Sequence, residues 1–309
     1  MRVVFFGSSL FSSSILNSLY KEGVQFPLVV TKKPKEKGRG KKELPTPVGK
    51  IARESTLPLI EIDNPNTVEM EVAIKKTGVD VLLLAAYGAI LKENILSAVT
   101  YPLNIHPSLL PKYRGVAPIR RAIMHGESKT GVTIFIMNKE IDTGEIVIKK
   151  ELDIGQDEVA TELEQRLADF SVELALDVLK EIEKGKPLAL TQQNEGVALY
   201  APKIRKEELQ INWVENAGKV VGKIKGLSYK PGAYTYFRGE RLKILRALAI
   251  PEKPTGSNPG EIFKVGDKIA VACEEGSVEV SQIQLSGKKM MDARSFVNGY
   301  HINVGEKLG

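Results

Sequence analysis

An amide and an imidazole stand two residues apart at the end of an apolar run, in the stretch "PLNIHPSLLPKYRG". Asn104 and His106 flank Ile105, so on a strand both side chains project to the same side, because side chains alternate with a period of two. Pro107 and Pro111 follow, and their restricted backbone angles indicate that the chain leaves the sheet there as a shaped loop. The spacing predicts a polar pair at a strand end.

A carboxylate that could complete this pair follows the next strand-like run, in "GVTIFIMNKEIDTGEIV". If that strand lies beside the one carrying Asn104, Asp142 can reach His106 and fix its tautomer and charge. These three residue types, with no Ser or Cys nucleophile nearby, are typical of a site that stabilises an oxyanion and moves a proton, so that the substrate supplies the nucleophile. The spacing alone leaves an alternative open: His106 caps the strand and Asp142 forms an ordinary Asx turn.

The other candidate residues indicate structure rather than chemistry. His125 precedes a glycine at a predicted helix end, where an imidazole meets the helix dipole favourably, and His301 is expected at the surface. Cys273, the one cysteine of the chain, lies in a strand-like apolar run and is expected to be buried. No pair of His or carboxylate residues has metal-ligand spacing, so no metal site is expected. Gly7 is followed by "SSLFS" and lacks a dinucleotide fingerprint.

The elements that must position these residues alternate between strands and helices. Runs such as "RVVFF", "FPLVVT" and "VDVLLLAAYGAI" predict strands, and the stretch from Asp157 to about Lys184 has helical spacing. This order is typical of an α/β fold with a doubly wound, mostly parallel sheet and functional loops at the carboxyl ends of its strands. The C-terminal part has short alternating runs separated by turn residues, which predicts a smaller β-barrel, OB-like. The predicted domains are 1–188 and 207–309, with a linker at 189–206.

Length and charge agree with two domains and suggest where a partner binds. A chain of 309 residues exceeds the usual size of one core. It has no signal-peptide or membrane-spanning pattern, so we expect a cytoplasmic protein. From Arg205 to the end there are 17 Lys and Arg against 12 Asp and Glu, which holds most of the net charge of +6. A polyanionic partner and a merely lysine-rich surface both fit this charge.

Several motifs taken together resemble one family of enzymes. They are "NIHPSLLPKYRGVAPI", "AAYGAIL", "GVTI" with "IDTGEI", "LYAPKI" and "GKKMMDARSFVNG". Along essentially its whole length the chain resembles the methionyl-tRNA formyltransferases, which are folate-dependent formyltransferases. The C-terminal motifs distinguish this resemblance from the purine-pathway formyltransferase, which is similar only to the N-terminal domain.

The resemblance implies a reaction and its participants. A formyl group passes from 10-formyltetrahydrofolate, without a metal, to the amino group of methionine on initiator tRNA, and we expect a monomer. By position, Asn104, His106 and Asp142 match the catalytic residues of the family, with His106 acting as acid, base or electrostatic partner. Rival interpretations are a formyltransferase for an amino sugar nucleotide, a formyltetrahydrofolate hydrolase, and a non-enzymatic RNA-binding protein.

The resemblance also assigns binding residues. The residues implied to contact the folate are Ser108, Leu109, Leu110 and Pro111 after the polar pair, and Tyr87, Gly88 and Leu91 after the central strand. The residues implied to contact the tRNA acceptor end lie in the basic loop "KKPKEKGRGKK" and are Lys37, Arg39, Lys41 and Lys42. Without the resemblance, this loop is more typical of a solvated charged segment than of a tRNA contact. Further lysines and arginines of the C-terminal domain are expected to contact the tRNA backbone.

Overall fold

The computed structural model describes residues 1–37 and 42–309. The strands are β1 (Arg2–Gly7), β2 (Gln25–Thr31), β3 (Lys35–Lys37), β4 (Lys42–Leu44), β5 (Leu59–Glu61), β6 (Val81–Ala85), β7 (Tyr101–His106), β8 (Lys129–Ile136), β9 (Ile146–Asp153), β10 (Ala233–Phe237), β11 (Glu240–Ile250), β12 (Ile262–Val265), β13 (Ile269–Ala272), β14 (Ser277–Leu285) and β15 (Met291–Asp292). The α-helices are α1 (Leu10–Lys21), α2 (Pro47–Glu54), α3 (Val68–Lys76), α4 (Glu93–Leu96), α5 (Pro118–Met124), α6 (Ala160–Glu183), α7 (Ala217–Leu227) and α8 (Ala293–Tyr300).

Seven strands form the larger sheet, in the order β5-β2-β1-β6-β7-β8-β9. β1 pairs in parallel with β2 and β6, β2 with β5, and β6 with β7. β7 pairs with β8 in the antiparallel direction. The predicted α/β class with a mostly parallel sheet is confirmed. β6 is buried over all five residues, as expected for a strand covered on both faces.

Three neighbouring strands of this sheet end at the same edge. Gly7 is aligned with Ala85, and Ala85 with Ile105, so β1, β6 and β7 end side by side. This edge is termed the carboxyl edge below. In α/β sheets the segments that leave such an edge supply the functional groups, because the helices cover both faces of the sheet.

The turn after β1 is shaped by small polar residues. Ser9 is the N-cap of α1, its hydroxyl accepts a hydrogen bond from the backbone N–H of Ser12, and the Ser12 hydroxyl closes a capping box. A Cβ on Gly7 would lie 2.6 Å from the Cβ of Ser12. The tight turn therefore requires glycine at this position.

The second sheet is antiparallel and has the order β10-β11-β14-β13-β12, with β15 paired to β14. Its core includes Trp213, whose indole N–H donates to the Thr235 hydroxyl at 3.1 Å, and residues of α7 and α8. The antiparallel C-terminal fold agrees with the prediction, but closure into a barrel does not. Over the described part of the chain, β10 and β12 stand at opposite ends of the order and do not pair with each other. The C-terminal segment 305–309 hydrogen-bonds to both strands: the N–H of Ile262 in β12 donates to the carbonyl of Glu306, and the N–H of Gly309 donates to the carbonyl of Tyr236 in β10.

Contacts divide the chain into two compact units, and each contains more than one segment. The first unit comprises Met1–Pro118, Thr130–Leu152 and Glu164–Ala201, and the second comprises Ile119–Lys129, Asp153–Leu163 and Pro202–Gly309. The boundaries predicted at residues 188 and 207 stay a prediction. Within the described residues, no helix combines the length and the apolar character needed to cross a bilayer.

Cys273 lies in the core of the second unit. It is fully buried beside β13, as its apolar neighbours in the sequence predict. Burial raises the pKa of its thiol to about 11, which keeps the sulfur in its unreactive neutral form near neutral pH.

Candidate active site

The polar pair, Asn104 and His106, lies at the end of β7, where His106 is the last residue of the strand. Asn104 and His106 are both buried, with 9% and 5% of their surfaces exposed, and Ile105 between them belongs to the apolar core. The register pairs Asn104 with Phe135 and His106 with Thr133 of β8. The alternation of side chains along β7 therefore places both polar groups on one side of the sheet, as the spacing predicts.

Asp142 comes from the turn that joins β8 to β9. β8 does lie beside β7, which was the condition for Asp142 to reach the polar pair. Asp142 has a left-handed backbone conformation with φ of 55°, which is uncommon for a residue other than glycine. Gly144 lies against β8, and a Cβ there would come 1.7 Å from the carbonyl oxygen of Ile136. The turn is therefore held in one conformation by close backbone contacts.

The side chains of Asn104 and His106 both approach the carboxylate of Asp142. The Asn104 Nδ2 donates to Asp142 Oδ1 at 3.4 Å, and His106 Nδ1 lies 3.7 Å from Asp142 Oδ2. The backbone N–H of Gly115 donates to Oδ2 at 2.7 Å. Because the short hydrogen bond to Gly115 anchors the carboxylate, Asn104 and His106 contact it more loosely and keep hydrogen-bonding capacity for a substrate.

The tautomer of His106 is fixed by a backbone group rather than by Asp142, contrary to the sequence interpretation. His106 Nε2 lies 2.8 Å from the carbonyl oxygen of Tyr113. A carbonyl only accepts hydrogen bonds, so Nε2 carries a hydrogen and Nδ1 holds the lone pair of the neutral ring. Tyr113 has a φ of 63°, and this local backbone direction has no signature in residue types. Nδ1, which faces Asp142, is therefore the atom that can gain or lose a proton.

The predicted folate loop is held by side chains beneath it. The Thr133 hydroxyl donates to the carbonyl of Ser108 at 2.7 Å and accepts from the N–H of Leu110 at 3.1 Å. The Ser108 hydroxyl donates to the carbonyl of Lys112 at 2.6 Å, and Lys149 Nζ donates to the carbonyl of Leu110 at 3.0 Å. Ser108, Leu110 and Pro111 are buried and Leu109 is partly exposed. The loop therefore offers backbone and the Leu109 side chain rather than a row of free polar groups.

The predicted folate residues after β6 divide into buried and exposed positions. Tyr87 and Leu91 are buried in the apolar core, and the Tyr87 hydroxyl donates to the carbonyl of Ile62 at 3.0 Å. Burial, with the nearby Asp63 charge, raises the pKa of the Tyr87 phenol well above its usual range. Gly88, with φ of 81°, lies with Ala86 and Ile90 on the accessible surface of this turn, and Ile90 is 57% exposed. Tyr87 and Leu91 thus support the turn from within.

Two of the four predicted tRNA residues lie at the ends of the paired strands β3 and β4. Lys37 ends β3 and its backbone pairs with Lys42, which begins β4. Arg39 and Lys41 lie outside the described residues. Their role in tRNA binding stays a prediction.

Sequence reasoning missed a buried arginine next to the carboxylate. Arg114 is fully buried and its guanidinium donates to Gln193 Oε1 and to both carboxylate oxygens of Glu195. The hydrogen bonds from this guanidinium lower the pKa of the Glu195 carboxyl. The Arg-Gly dipeptide after the loop was the only available signal, because the partners lie about eighty residues away in the predicted linker.

The described residues contain no cluster of three or more His, Cys, Asp or Glu side chains arranged to hold a metal ion. The groups available for chemistry at the carboxyl edge are thus an amide donor, an imidazole whose Nδ1 has a lone pair, and an anchored carboxylate.

Comparisons with known proteins place this arrangement in context. Residues 1–179 match the family model described as formyl transferase, and residues 203–301 match that of the formyl transferase C-terminal domain. The chain is 40% identical over 310 residues to a protein of Thermotoga neapolitana named methionyl-tRNA formyltransferase, covering 100% of this chain and 98% of the relative.

Solved structures share the fold at low sequence identity. An N-formyltransferase from Helicobacter canadensis in complex with folinic acid and dTDP-3-aminofucose is similar with a TM-score of 0.69 and 18% identity, covering 91% of this chain and 99% of that one. HypX from Aquifex aeolicus in complex with tetrahydrofolic acid has a TM-score of 0.66 and 18% identity. That match covers 99% of this chain and 48% of HypX.

Proposed function

The chain belongs to the formyl transferase family, and on this premise we propose that it transfers the formyl group of 10-formyltetrahydrofolate to the amino group of methionine on initiator tRNA. The observation that carries the proposal is the convergence of Asn104, His106 and Asp142 at the carboxyl edge. The identity of acceptor and donor is supported by the name of the full-length relative from Thermotoga neapolitana and by the folate-containing structures that share the fold.

The bound folate would supply a formyl carbon that the substrate amine attacks, so the protein needs no nucleophile of its own. As the new bond to the amine nitrogen forms, the bond from the formyl carbon to the folate nitrogen breaks, that nitrogen takes up a proton, and tetrahydrofolate leaves. His106 is the residue suited to move the amine proton. Its Nε2–H is held by the Tyr113 carbonyl, so the lone pair of Nδ1 is directed to the side of Asp142. Nδ1 accepts the proton, and the carboxylate of Asp142 stabilises the imidazolium that results.

Asn104 is the residue suited to stabilise negative charge on the formyl oxygen. Its Nδ2 bears two hydrogens, and the long contact of 3.4 Å with Asp142 uses one of them. The other hydrogen is available to the oxygen that gains charge. A preorganised donor of this kind contributes about a hundredfold or more in rate, because it is already oriented when charge develops.

The folate is proposed to lie along two segments that leave adjacent strands. The loop 107–111 follows β7 and the turn 86–90 follows β6, and these strands are paired up to Ala85 and Ile105. The accessible parts of the two segments include Leu109, Ala86, Gly88 and Ile90. An apolar surface with exposed backbone groups suits a flat heterocycle that needs both stacking and hydrogen bonds. The residues present therefore fit a pterin.

A basic and aromatic face of the second unit supports a nucleic-acid substrate. In the β10–β11 hairpin, Tyr234 is paired with Lys243 and Tyr236 with Arg241. The Arg241 guanidinium lies 3.6 Å from the centre of the Tyr234 ring, and the two tyrosine rings are 5.8 Å apart, edge to face. This set of four side chains is termed the hairpin face.

The hairpin face concentrates positive charge. Partial burial lowers the pKa of Lys243, and the positive charges of Arg241 and Lys230 lower it further. Neighbouring cations repel each other, and a phosphate placed among them relieves that repulsion. Rings flanked by cations suit stacked bases and phosphates together. We propose that this face contacts the tRNA in addition to the loop that contains Arg39, and that the monomeric protein acts in the cytoplasm.

The decisive experiment compares four formyl acceptors under one set of conditions. Purified protein is given radiolabelled 10-formyltetrahydrofolate with charged initiator tRNA, free methionine, a dTDP-amino sugar, or water alone. We expect product with the charged tRNA to exceed that with any other acceptor by at least about a hundredfold in kcat/KM, because the amine must be delivered by a bound polyanion. The same tRNA charged with N-acetylmethionine is the matched control, since it lacks the attacking amine.

Each other outcome assigns a different function. Preferred transfer to the amino sugar, or release of formate in water alone, would replace the proposal with a sugar formyltransferase or a hydrolase. Tight tRNA binding without any formyl transfer would leave a non-enzymatic RNA-binding protein.

A further inference from the structure

The segment that follows α6 returns to the carboxyl edge and is built into it. Residues 191–201, termed the strap, begin beside Ile146 of β9 and run along the loop that contains Arg114. The backbone N–H of Arg114 donates to the carbonyl of Leu199 at 2.8 Å, and the N–H of Ala201 donates to the carbonyl of Arg114 at 2.6 Å. The strap belongs to the same compact unit as the candidate catalytic residues.

One side chain of the strap reaches the Asp142 turn. Gln193 Nε2 donates to the carbonyl oxygen of Asp142 at 2.9 Å and to that of Gly144 at 2.8 Å. These carbonyls lie on both sides of Thr143, so a single amide group closes the turn. The left-handed conformation of Asp142 is otherwise costly, and such conformations persist where surrounding contacts hold them.

Arg114 determines which end of Gln193 faces the turn. The guanidinium is a donor only, and its Nε and Nη2 lie 3.2 Å and 2.7 Å from Gln193 Oε1. The amide oxygen is therefore committed to Arg114, and the two amide hydrogens are left for the carbonyls of the turn. Glu195, paired with the same guanidinium, fixes Arg114 from the strap side.

Asp142 is thus held at two points by neighbouring residues of one loop. Gly115 holds its carboxylate through the 2.7 Å hydrogen bond to Oδ2. Arg114, the residue before Gly115, holds its backbone through Gln193. The distance from Asp142 to Asn104 and His106 depends on both points.

We propose that Gln193, oriented by Arg114, is a positioning residue for catalysis that sets the place of Asp142. The proposal rests on the proposed formyl transfer and adds that the predicted linker contains a part of the active site. Because Gln193 contacts neither Asn104 nor His106 in this arrangement, its effect passes through Asp142.

The test uses two adjacent glutamines of the strap. Gln193→Glu keeps the length and the acceptor for Arg114, and it replaces both donors with a carboxylate that repels the carbonyls of Asp142 and Gly144. Gln192→Met is the control, because the exposed Gln192 side chain donates to the Glu145 side chain instead of to the carbonyls of the turn, and methionine removes that donor without placing a second carboxylate against Glu145. We expect Gln193→Glu to lower kcat by about tenfold to a hundredfold with KM for both substrates within twofold, since small misplacements of catalytic groups cost this much. Equal kinetics of the two variants would overturn the proposal.

A double-mutant cycle separates a positioning role from a general structural one. In an Asp142→Asn background, we expect Gln193→Glu to change kcat less than twofold, because the residue through which it acts is already impaired. A full additional loss in that background would contradict the proposal. If Gln193→Glu does not fold, as judged by circular dichroism, Gln193→Met is used with the same two expectations.

A readout independent of activity distinguishes the two proposals. Amide hydrogen exchange of Gly115 reports its hydrogen bond to Asp142. We expect exchange at Gly115 to be faster in Gln193→Glu and unchanged in Gln192→Met, whether or not the wild type uses methionyl-tRNA. If the wild type does not formylate methionyl-tRNA, the proposed function is wrong. If exchange at Gly115 is unchanged in Gln193→Glu, the positioning role of Gln193 is wrong.

Discussion

The carboxyl edge and the hairpin face are both polar, but they are built in opposite ways. At the carboxyl edge, Asn104, His106 and Asp142 are largely buried, and backbone groups of Tyr113 and Gly115 hold two of them. On the hairpin face, Arg241 and Tyr236 are exposed and Tyr234 and Lys243 are partly exposed, and Arg241 lies over the ring of Tyr234.

The two constructions predict different modes of action. A buried group with fixed partners acts through its position, so one substitution removes its whole effect. An exposed cation acts through long-range charge, which neighbouring cations share and which salt screens. We therefore expect large effects on turnover from the carboxyl edge and small, salt-dependent effects on binding from the hairpin face.

The largest effect is expected at the carboxyl edge. Asn104→Ala and Asp142→Ala should each lower kcat by at least about a hundredfold, because an oxyanion donor or the support for the proton acceptor is lost. Steady-state formyl transfer to charged initiator tRNA measures this. Asp169→Ala, which removes an exposed carboxylate of α6, serves as control. Near-normal turnover in either catalytic variant would refute the site.

Substitutions of one glycine near the carboxyl edge and one near the hairpin face test whether the backbone is equally constrained in the two regions. A Cβ on Gly144 would collide with the Ile136 carbonyl, whereas one on Gly239, in the β10–β11 turn, has open space around it. We expect Gly144→Ala to cost about 3 kcal/mol or more in the free energy of unfolding and to lower kcat. Gly239→Ala should cost about 1 kcal/mol, for its positive φ alone, and retain kcat. Urea denaturation measures both, and equal costs would remove this contrast between the regions.

A milder effect is expected on the hairpin face. Arg241→Ala should raise KM for the charged tRNA by about threefold to tenfold and leave kcat unchanged, because one shared phosphate contact is lost. The dependence of log KM on log salt should lose about one unit of slope. Arg294→Ala, an exposed arginine of α8 that pairs with Asp267, is the control. An unchanged salt slope would argue that the hairpin face does not contact tRNA.

The smallest effect is expected at Cys273, which is buried behind the exposed groups of the second unit. With its pKa raised to about 11, the fraction of thiolate at pH 8 falls far below that of a free cysteine, so iodoacetamide should not modify the folded protein. Modification should appear on unfolding in urea, as mass spectrometry can show. Cys273→Ala should keep kcat and KM within twofold. Rapid alkylation of the native protein would show that this unit opens readily.

Part of the fold and of the site follows from local patterns. The α/β class, the buried strand β6 and the shared side of Asn104 and His106 depend on periodicities of two and of about 3.6 residues along the chain. Cys273 was placed in the core by its apolar neighbours. A closed barrel was predicted, and the strand order of the described residues does not show one. Patterns that predict strands one at a time carry no information on whether the two end strands pair.

The remaining parts of the site could not be read from the sequence. Asp142 reaches the polar pair only because β8 pairs with β7, and sequence reasoning gave that pairing as a condition. The Tyr113 carbonyl that fixes the His106 tautomer depends on a left-handed φ at a residue that seldom adopts it. Arg114 and Gln193 are 79 residues apart, and the residue types in the two segments do not predict that they contact each other.

The order of amino acids alone sets which functional groups the chain carries and on which elements they lie, because strand and helix periodicity arises from sterics within a few residues. Which of those groups meet depends on the folded arrangement. Hydrogen bonds form over about 3 Å and depend on direction, so they are set by how distant segments pack. The strap illustrates this most clearly, since a stretch that reads as a connection contacts the backbone of Asp142.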